Sequence, residues 1–244
     1  MFSKTRKAPP GDPEPRRRGR PSGPTEQGEA TRRQLYEVAV RLISAQGYEA
    51  TTLRDIAREA GVSPGLLYRY FPSKRAVVLA LYDELSAAYA ERASTMEPGP
   101  WRERCLHAVR TSLEVLGPKR KALSALGGVL LGFGDDGLFA STTAFSRLRV
   151  QSVFTRAVLQ ASDAPEPATA EALGRLSYVA HLGVLLFWLL DQSPEQRATR
   201  DLLQLLESTL PWASVLLSTD VASEVVLLAD ELCREAIFGE VVEE

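Results

Sequence analysis

Residues 52 to 71, TLRDIAREAGVSPGLLYRYF, gather guanidinium, phenol and hydroxyl groups around one sharp corner. Arg54 and Arg69 each carry a planar fork able to donate two parallel hydrogen bonds to guanine, whereas Thr52, Tyr70 and Lys74 offer single donors suited to phosphate oxygens. Such a set binds a polyanion; it does not break bonds. Catalysis finds no counterpart elsewhere in the chain. The two histidines, His107 and His181, belong to no HExxH run. The chain is therefore expected not to be an enzyme and to need neither cofactor nor metal. Cys105 and Cys233 stand far apart with no CxxC spacing, which fits reduced thiols in the cytoplasm.

The corner sets the elements around it. Glycine inside a helix costs about 1 kcal/mol against alanine and proline about 3, so one continuous helix through Gly61-Val62-Ser63-Pro64 is disfavoured. Two short helices meeting at an angle are expected instead. Before them, Leu35, Val38, Ala39, Leu42 and Ile43 recur at helical spacing between Glu29 and Gln46, and Gly47 closes the segment. Thr51 and Thr52 offer N-cap hydroxyls to LRDIAREA, a second helix ending at Gly61. Ser63 caps a third with Pro64 at its first position, and Ser73 opens a long fourth helix running to about Thr95. Gly61 and Ala57 supply the small residues that a tight helix-turn-helix contact requires.

Charge is distributed unevenly. The 244 residues carry a net charge of -2, but residues 1–75 hold 15 Lys/Arg against 8 Asp/Glu, leaving 14 against 23 for the remainder. A basic part at +7 joined to an acidic part at -9 points to a polyanion partner for the first alone. An apolar content of 45% suffices for a packed core. The uncharged apolar runs at 122–134 and 182–190 are shorter than the roughly 20 residues that span a bilayer, so they are expected to be buried helices, with no membrane partner.

From the threonine cap through Ala-x-x-x-Gly-Val-Ser, Leu-Tyr-x-Tyr-Phe and the following Ser-Lys, the segment TTLRDIAREAGVSPGLLYRYFPSKRAVVLALYDEL closely resembles the DNA-binding domain of the TetR family of transcriptional regulators. The likeness covers roughly residues 29–89. It implies an all-α protein with a helix-turn-helix domain at 29–89 and a helical dimerisation and ligand domain at 90–244; residues 1–28, rich in Pro, Gly and Arg with almost nothing apolar, are expected by composition to be a disordered basic arm. It further implies that Leu67 and Phe71 face the core, which turns Pro64, Gly65, Leu66, Tyr68 and Arg69 toward double-stranded DNA beside the Ser63 cap. Gly65 would allow close backbone approach. Arg69 would be the residue of helix three that reads guanine, and Arg54 could reach backbone or base.

Two weaker expectations complete the reading. Arg18-Gly19-Arg20-Pro21 resembles an AT-hook core, in which arginines enter a narrow minor groove. Beyond residue 95, helices are expected at 101–116, 118–133, 138–161, 166–191, 195–217 and 221–238. The 166–191 helix is apolar nearly all round, so it is expected to form a homodimer interface with parts of the last two. The family likeness implies a pocket for a small hydrophobic or aromatic effector, for which Trp101, Cys105, His107, Phe133, Phe145, Phe154, Tyr178, His181 and Trp188 are candidate linings. The leading expectation is a homodimeric repressor released from a palindrome by that effector. The alternative is an effector-independent activator or architectural dimer using the hook-like arm.

Overall fold

The computed structural model describes residues 25–132, 137–216 and 220–239, and among them every regular element is a helix. Helix α1 (Glu26–Gln46) starts three residues earlier than its apolar periodicity suggests. The Thr25 hydroxyl accepts from the Gly28 amide at 3.1 Å, and Glu26 and Glu29 sit at the positive end of the helix dipole. Residues 26–28, expected in the arm, are thus helical. The rest of the arm, with Arg18, Gly19, Arg20 and Pro21, lies outside the described residues.

Helices α2 (Leu53–Glu59), α3 (Pro64–Tyr70) and α4 (Lys74–Arg92) follow the local signals closely. Thr52 and Asp55 form a reciprocal capping box, Ser63 accepts from the Leu66 amide, and Ser73 accepts from the Ala76 amide. Helix α2 stops at Glu59 rather than Gly61. Gly61 turns the chain at φ +67°, a conformation that disfavours any residue with a Cβ. Leu35, Ile43, Ile56, Leu67, Phe71, Val77 and Leu81 are almost wholly buried and form the core of this head.

Beyond the head come α5 (Trp101–Leu116), α6 (Arg120–Ala125), α7 (Gly127–Leu130), α8 (Ala144–Leu159), α9 (Pro167–Leu190), α10 (Arg197–Leu216) and α11 (Asp220–Phe238). Two expected helices are shorter or broken. The 118–133 segment splits at Leu126, where the pair Gly127-Gly128 weakens the helical backbone. The 138–161 segment is helical only from Ala144, because the buried Thr143 hydroxyl binds the preceding loop, 2.8 Å from the Gly137 carbonyl and 2.9 Å from that of Ala140.

Helices α8 and α9 pack so closely that a Cβ on Gly174 would stand 2.6 Å from the Thr155 Cα. In α9, the Arg175 guanidinium donates to both Asp230 oxygens on α11 at 2.8 and 2.6 Å. By length and apolarity α9 could cross a membrane, being longer than the charge-free run read from sequence, but Tyr178, His181 and Trp188 bury one side of it in the bundle. Its other side is left open in a single chain: Leu186, Phe187 and Leu190 remain 36, 42 and 67% exposed. Arg120 satisfies the C-terminal carbonyls of α9, reaching Trp188 at 2.8 Å and Asp191 at 2.7 Å.

One apolar cluster runs through the head and onward. It joins α1 to Ala122, Leu123 and Leu126 of the α6 region and to Trp188 of α9. The head therefore sits on α6 as well as on α4.

Candidate nucleic-acid interface and ligand cavity

Along α3 the helical period separates two faces. Leu67, followed by Phe71, points into the core, while Pro64, Gly65, Tyr68 and Arg69 are exposed and Leu66 is half-buried. Ser63 and Thr52, both exposed, place the N-termini of α3 and α2 at the surface, and Arg54 is exposed in the first turn of α2. Space for a Cβ at Gly65 is open, so internal packing does not require a glycine there. Among the described residues Arg54 and Arg69 have no ion pair or hydrogen bond, whereas Arg58 is paired with Asp55 and Arg41 with Glu59. The Thr52 hydroxyl, followed by the Arg58 charge, holds the Asp55 carboxyl below its ordinary pKa.

The two remaining head residues have internal partners. The half-buried Tyr70 lays its hydroxyl against Gly28 in the first turn of α1. Lys74 donates from Nζ to the Tyr48 carbonyl at 2.8 Å and lies 4.3 Å from the Tyr48 ring centre. Both side chains are thus half-buried and held by contacts within the head.

A cavity of about 470 Å³ opens between α4, α5, α6, α7, α8 and α9, within the roughly 300–1,000 Å³ typical of small-molecule sites. Tyr82, Leu85, Ser86 and Tyr89 of α4 form one wall at helical spacing, and the leucines from Leu182 to Leu190 on α9 form another. Of the nine aromatic, thiol and imidazole residues expected to line a pocket, Tyr178, His181 and Trp188 do so. Phe154 lies behind the wall, its ring 4.9 Å from that of His181. Trp101 and Cys105 are buried in the core around α5, where burial pushes the Cys105 thiol up to about 11; His107 and Phe145 face outward. Helical facing explains these corrections, since residue type alone does not say which side a residue occupies. Phe133 lies outside the described residues.

The cavity also gathers buried polar atoms without partners. His181 is buried, shares a 3.3 Å hydrogen bond between Nε2 and the Ser112 hydroxyl, and leaves Nδ1 unpartnered. Burial pushes its pKa down to about 3, so the ring is neutral. The Tyr89 ring stacks on it at 6.3 Å, with its hydroxyl likewise buried and unpartnered. Arg147, on the first turn of α8, has a buried Nε without a partner. No sequence signal marked Arg147; the Tyr82 to Tyr89 stripe was legible only as an apolar helix face.

Residues 35–81 match the family model described as bacterial regulatory proteins, tetR family. The HTH-type transcriptional regulator HbdR of Aromatoleum sp. (strain CIB) is 35% identical over 96 residues, 38% of this chain and 42% of that protein. The chain spans less than half the length of the curated relatives it matches. Among solved structures, a tetR-family transcriptional regulator from Streptomyces coelicolor superposes with a TM-score of 0.56 at 24% identity, over 86% of this chain and 93% of that one. The transcriptional regulator FadR from Bacillus subtilis, solved in complex with stearoyl-CoA, gives 0.57 at 17% identity, over 71% of this chain and 96% of that one. At these identities the likeness is one of fold.

Proposed function

We propose that this chain, a TetR-family regulator by its helix-turn-helix domain, acts in the cytoplasm as a homodimeric repressor that a small molecule releases from a palindromic operator. The observation that carries this reading is the double duty of α4 and α6. Helix α4 contributes Val77, Val78 and Leu81 to the head core and, further along, Leu85 and Tyr89 to the cavity wall. Helix α6 packs Ala122 and Leu123 under α1 while Leu123 and Ser124 line the same cavity. An occupant that presses these walls apart moves the head with them, which shifts the population between DNA-competent and incompetent dimers.

A dimer reading a palindrome needs two recognition helices about 34–36 Å apart. Support for pairing comes from apolar side chains that one protomer leaves in water. Leu186, Phe187 and Leu190 on α9, Leu205 and Trp212 on α10, and the stripe Val221, Val225, Leu228 and Leu232 on α11 are all exposed. Domain limits of 29–89 for the head and 90–244 for the effector part remain the working division, although Trp188 and the head share one apolar cluster.

Footprinting the full chain on DNA flanking its own gene tests the reading, together with sedimentation of the protein alone. Protection of two half-sites one helical turn apart by a dimer is expected. Broad protection of A/T-rich DNA by the same protein would favour an architectural role using the arm instead.

A further inference from the structure

The cavity carries more information than its size. No Asp or Glu lines it among the described residues, while one guanidinium, from Arg147, does. That guanidinium has no carboxylate partner among the described residues; its recorded neighbour is the Phe238 ring at 5.3 Å. Its charge also acts on the Tyr178 phenol, which burial holds well above the ordinary range, so the two side chains are near one another. An unpaired buried Nε is costly to keep, as are the Tyr89 hydroxyl and His181 Nδ1, both on side chains at least 98% buried. Three of the four unpartnered buried side-chain atoms recorded among the described residues thus belong to residues around one cavity. The rest of the lining is chiefly leucine, with Leu85, Leu182, Leu185 and Leu189 prominent.

We infer that the effector is an amphipathic carboxylate, its apolar body lying along the leucines of α4 and α9 and its anionic head received by Arg147. This rests on the effector-responsive reading above and names the ligand class. A guanidinium can meet a carboxylate with two parallel hydrogen bonds, and the neutral His181 and Tyr89 supply polar positions for an oxygen further in. A lipophilic cation finds no countercharge here. A wholly apolar ligand would leave the Arg147 Nε as it is, desolvated and unpaired.

The test compares three probes sharing one tail, dodecanoate, dodecan-1-ol and dodecyltrimethylammonium, each below its micelle concentration, against the full-length protein by titration calorimetry. Dodecanoate is expected to bind at least about ten-fold more tightly than the alcohol, the margin of one charge-assisted hydrogen bond, and the ammonium more weakly than either. Arg147→Met should bring acid and alcohol together, and Arg147→Lys should restore part of the gap. Gly128→Phe, at a glycine of the cavity lining with open space about its Cβ position, should abolish all binding. Equal affinity of wild type for acid and alcohol, with both lost in Gly128→Phe, overturns the carboxylate inference and leaves an effector cavity standing. Absence of binding by all three probes, or binding indifferent to Gly128→Phe, counts against the cavity as an effector site at all. The ranking of probes on the wild type decides the matter even where an Arg147 variant fails to fold.

Discussion

Lys74 Nζ donates to the Tyr48 carbonyl at 2.8 Å and sits 4.3 Å from the centre of the Tyr48 ring. The pair fastens the first turn of α4 to the bend between α1 and α2, so the helix that walls the cavity is tied to the head by a charged contact as well as by apolar packing. Lys74→Ala should lower the unfolding free energy by about 1 kcal/mol, the lower end for a charged hydrogen bond because the group is half-exposed. Binding should weaken alike on operator and random DNA, read by competition titration at fixed salt. Loss confined to the operator would contradict a role outside base reading.

Gly65 and Gly174 separate two uses of a missing Cβ. At Gly65 the space is open, so Gly65→Ala should hold or raise stability by about 0.5–1 kcal/mol through helix propensity while weakening DNA binding, where the added methyl keeps the backbone off the groove. Denaturant unfolding and operator titration of the one variant give both signs. Unchanged affinity would argue that DNA does not approach this point of α3.

At Gly174 the opposite holds. The added methyl would meet the Thr155 backbone at 2.6 Å, and backbone cannot swing aside as a side chain can. Gly174→Ala should destabilise by about 1–3 kcal/mol, the range for overpacking a tight contact. A melting temperature equal to wild type would mean that α8 and α9 separate more readily than their packing implies.

Arg69 projects from the exposed face of α3 without an internal partner among the described residues. Arg69→Ala should cost about 1–3 kcal/mol at one operator position and relax the base preference there, measured on a panel of single-base operator variants. An equal loss at every base would reassign Arg69 to the phosphates.

His181 makes stability depend on pH in a stated direction. The unfolded chain takes up a proton at this ring near pH 6.5, whereas the folded chain resists until about 3. Between those values the unfolded state holds more protons, so stability falls on acidification, by a slope approaching about 1.4 kcal/mol per pH unit. Stability from this group is complete above pH 6.5. His181→Gln should flatten that dependence between pH 6 and 4 in urea titrations. An unaltered slope would assign the acid sensitivity to other groups.

Much of the head was legible before any coordinates. Thr52, Ser63 and Ser73 cap helices where their spacing places them, and Gly61 turns the chain at positive φ. Each of these is decided within about one helical turn of chain, so the signal is carried by neighbours in sequence. Thr25, missed as a cap, is of the same local kind and could have been found. The linings Trp101, Cys105, His107, Phe145 and Phe154 were placed by residue type, and each proved to face elsewhere.

By itself, the sequence determined that the chain is helical, that its basic portion bends at Gly61 ahead of a short helix, and that the acidic remainder differs from it in charge. Only the tertiary structure decided where empty space lies. The cavity exists between Tyr89 of α4, Ser112 of α5, Arg147 of α8 and His181 of α9, residues brought together across about ninety positions of chain. No local periodicity records how these helices fail to fill the volume between them, because a void is a property of packing and not of any one segment. For the same reason the unpaired Arg147 Nε, and the ligand chemistry drawn from it, became visible only once the helices stood side by side.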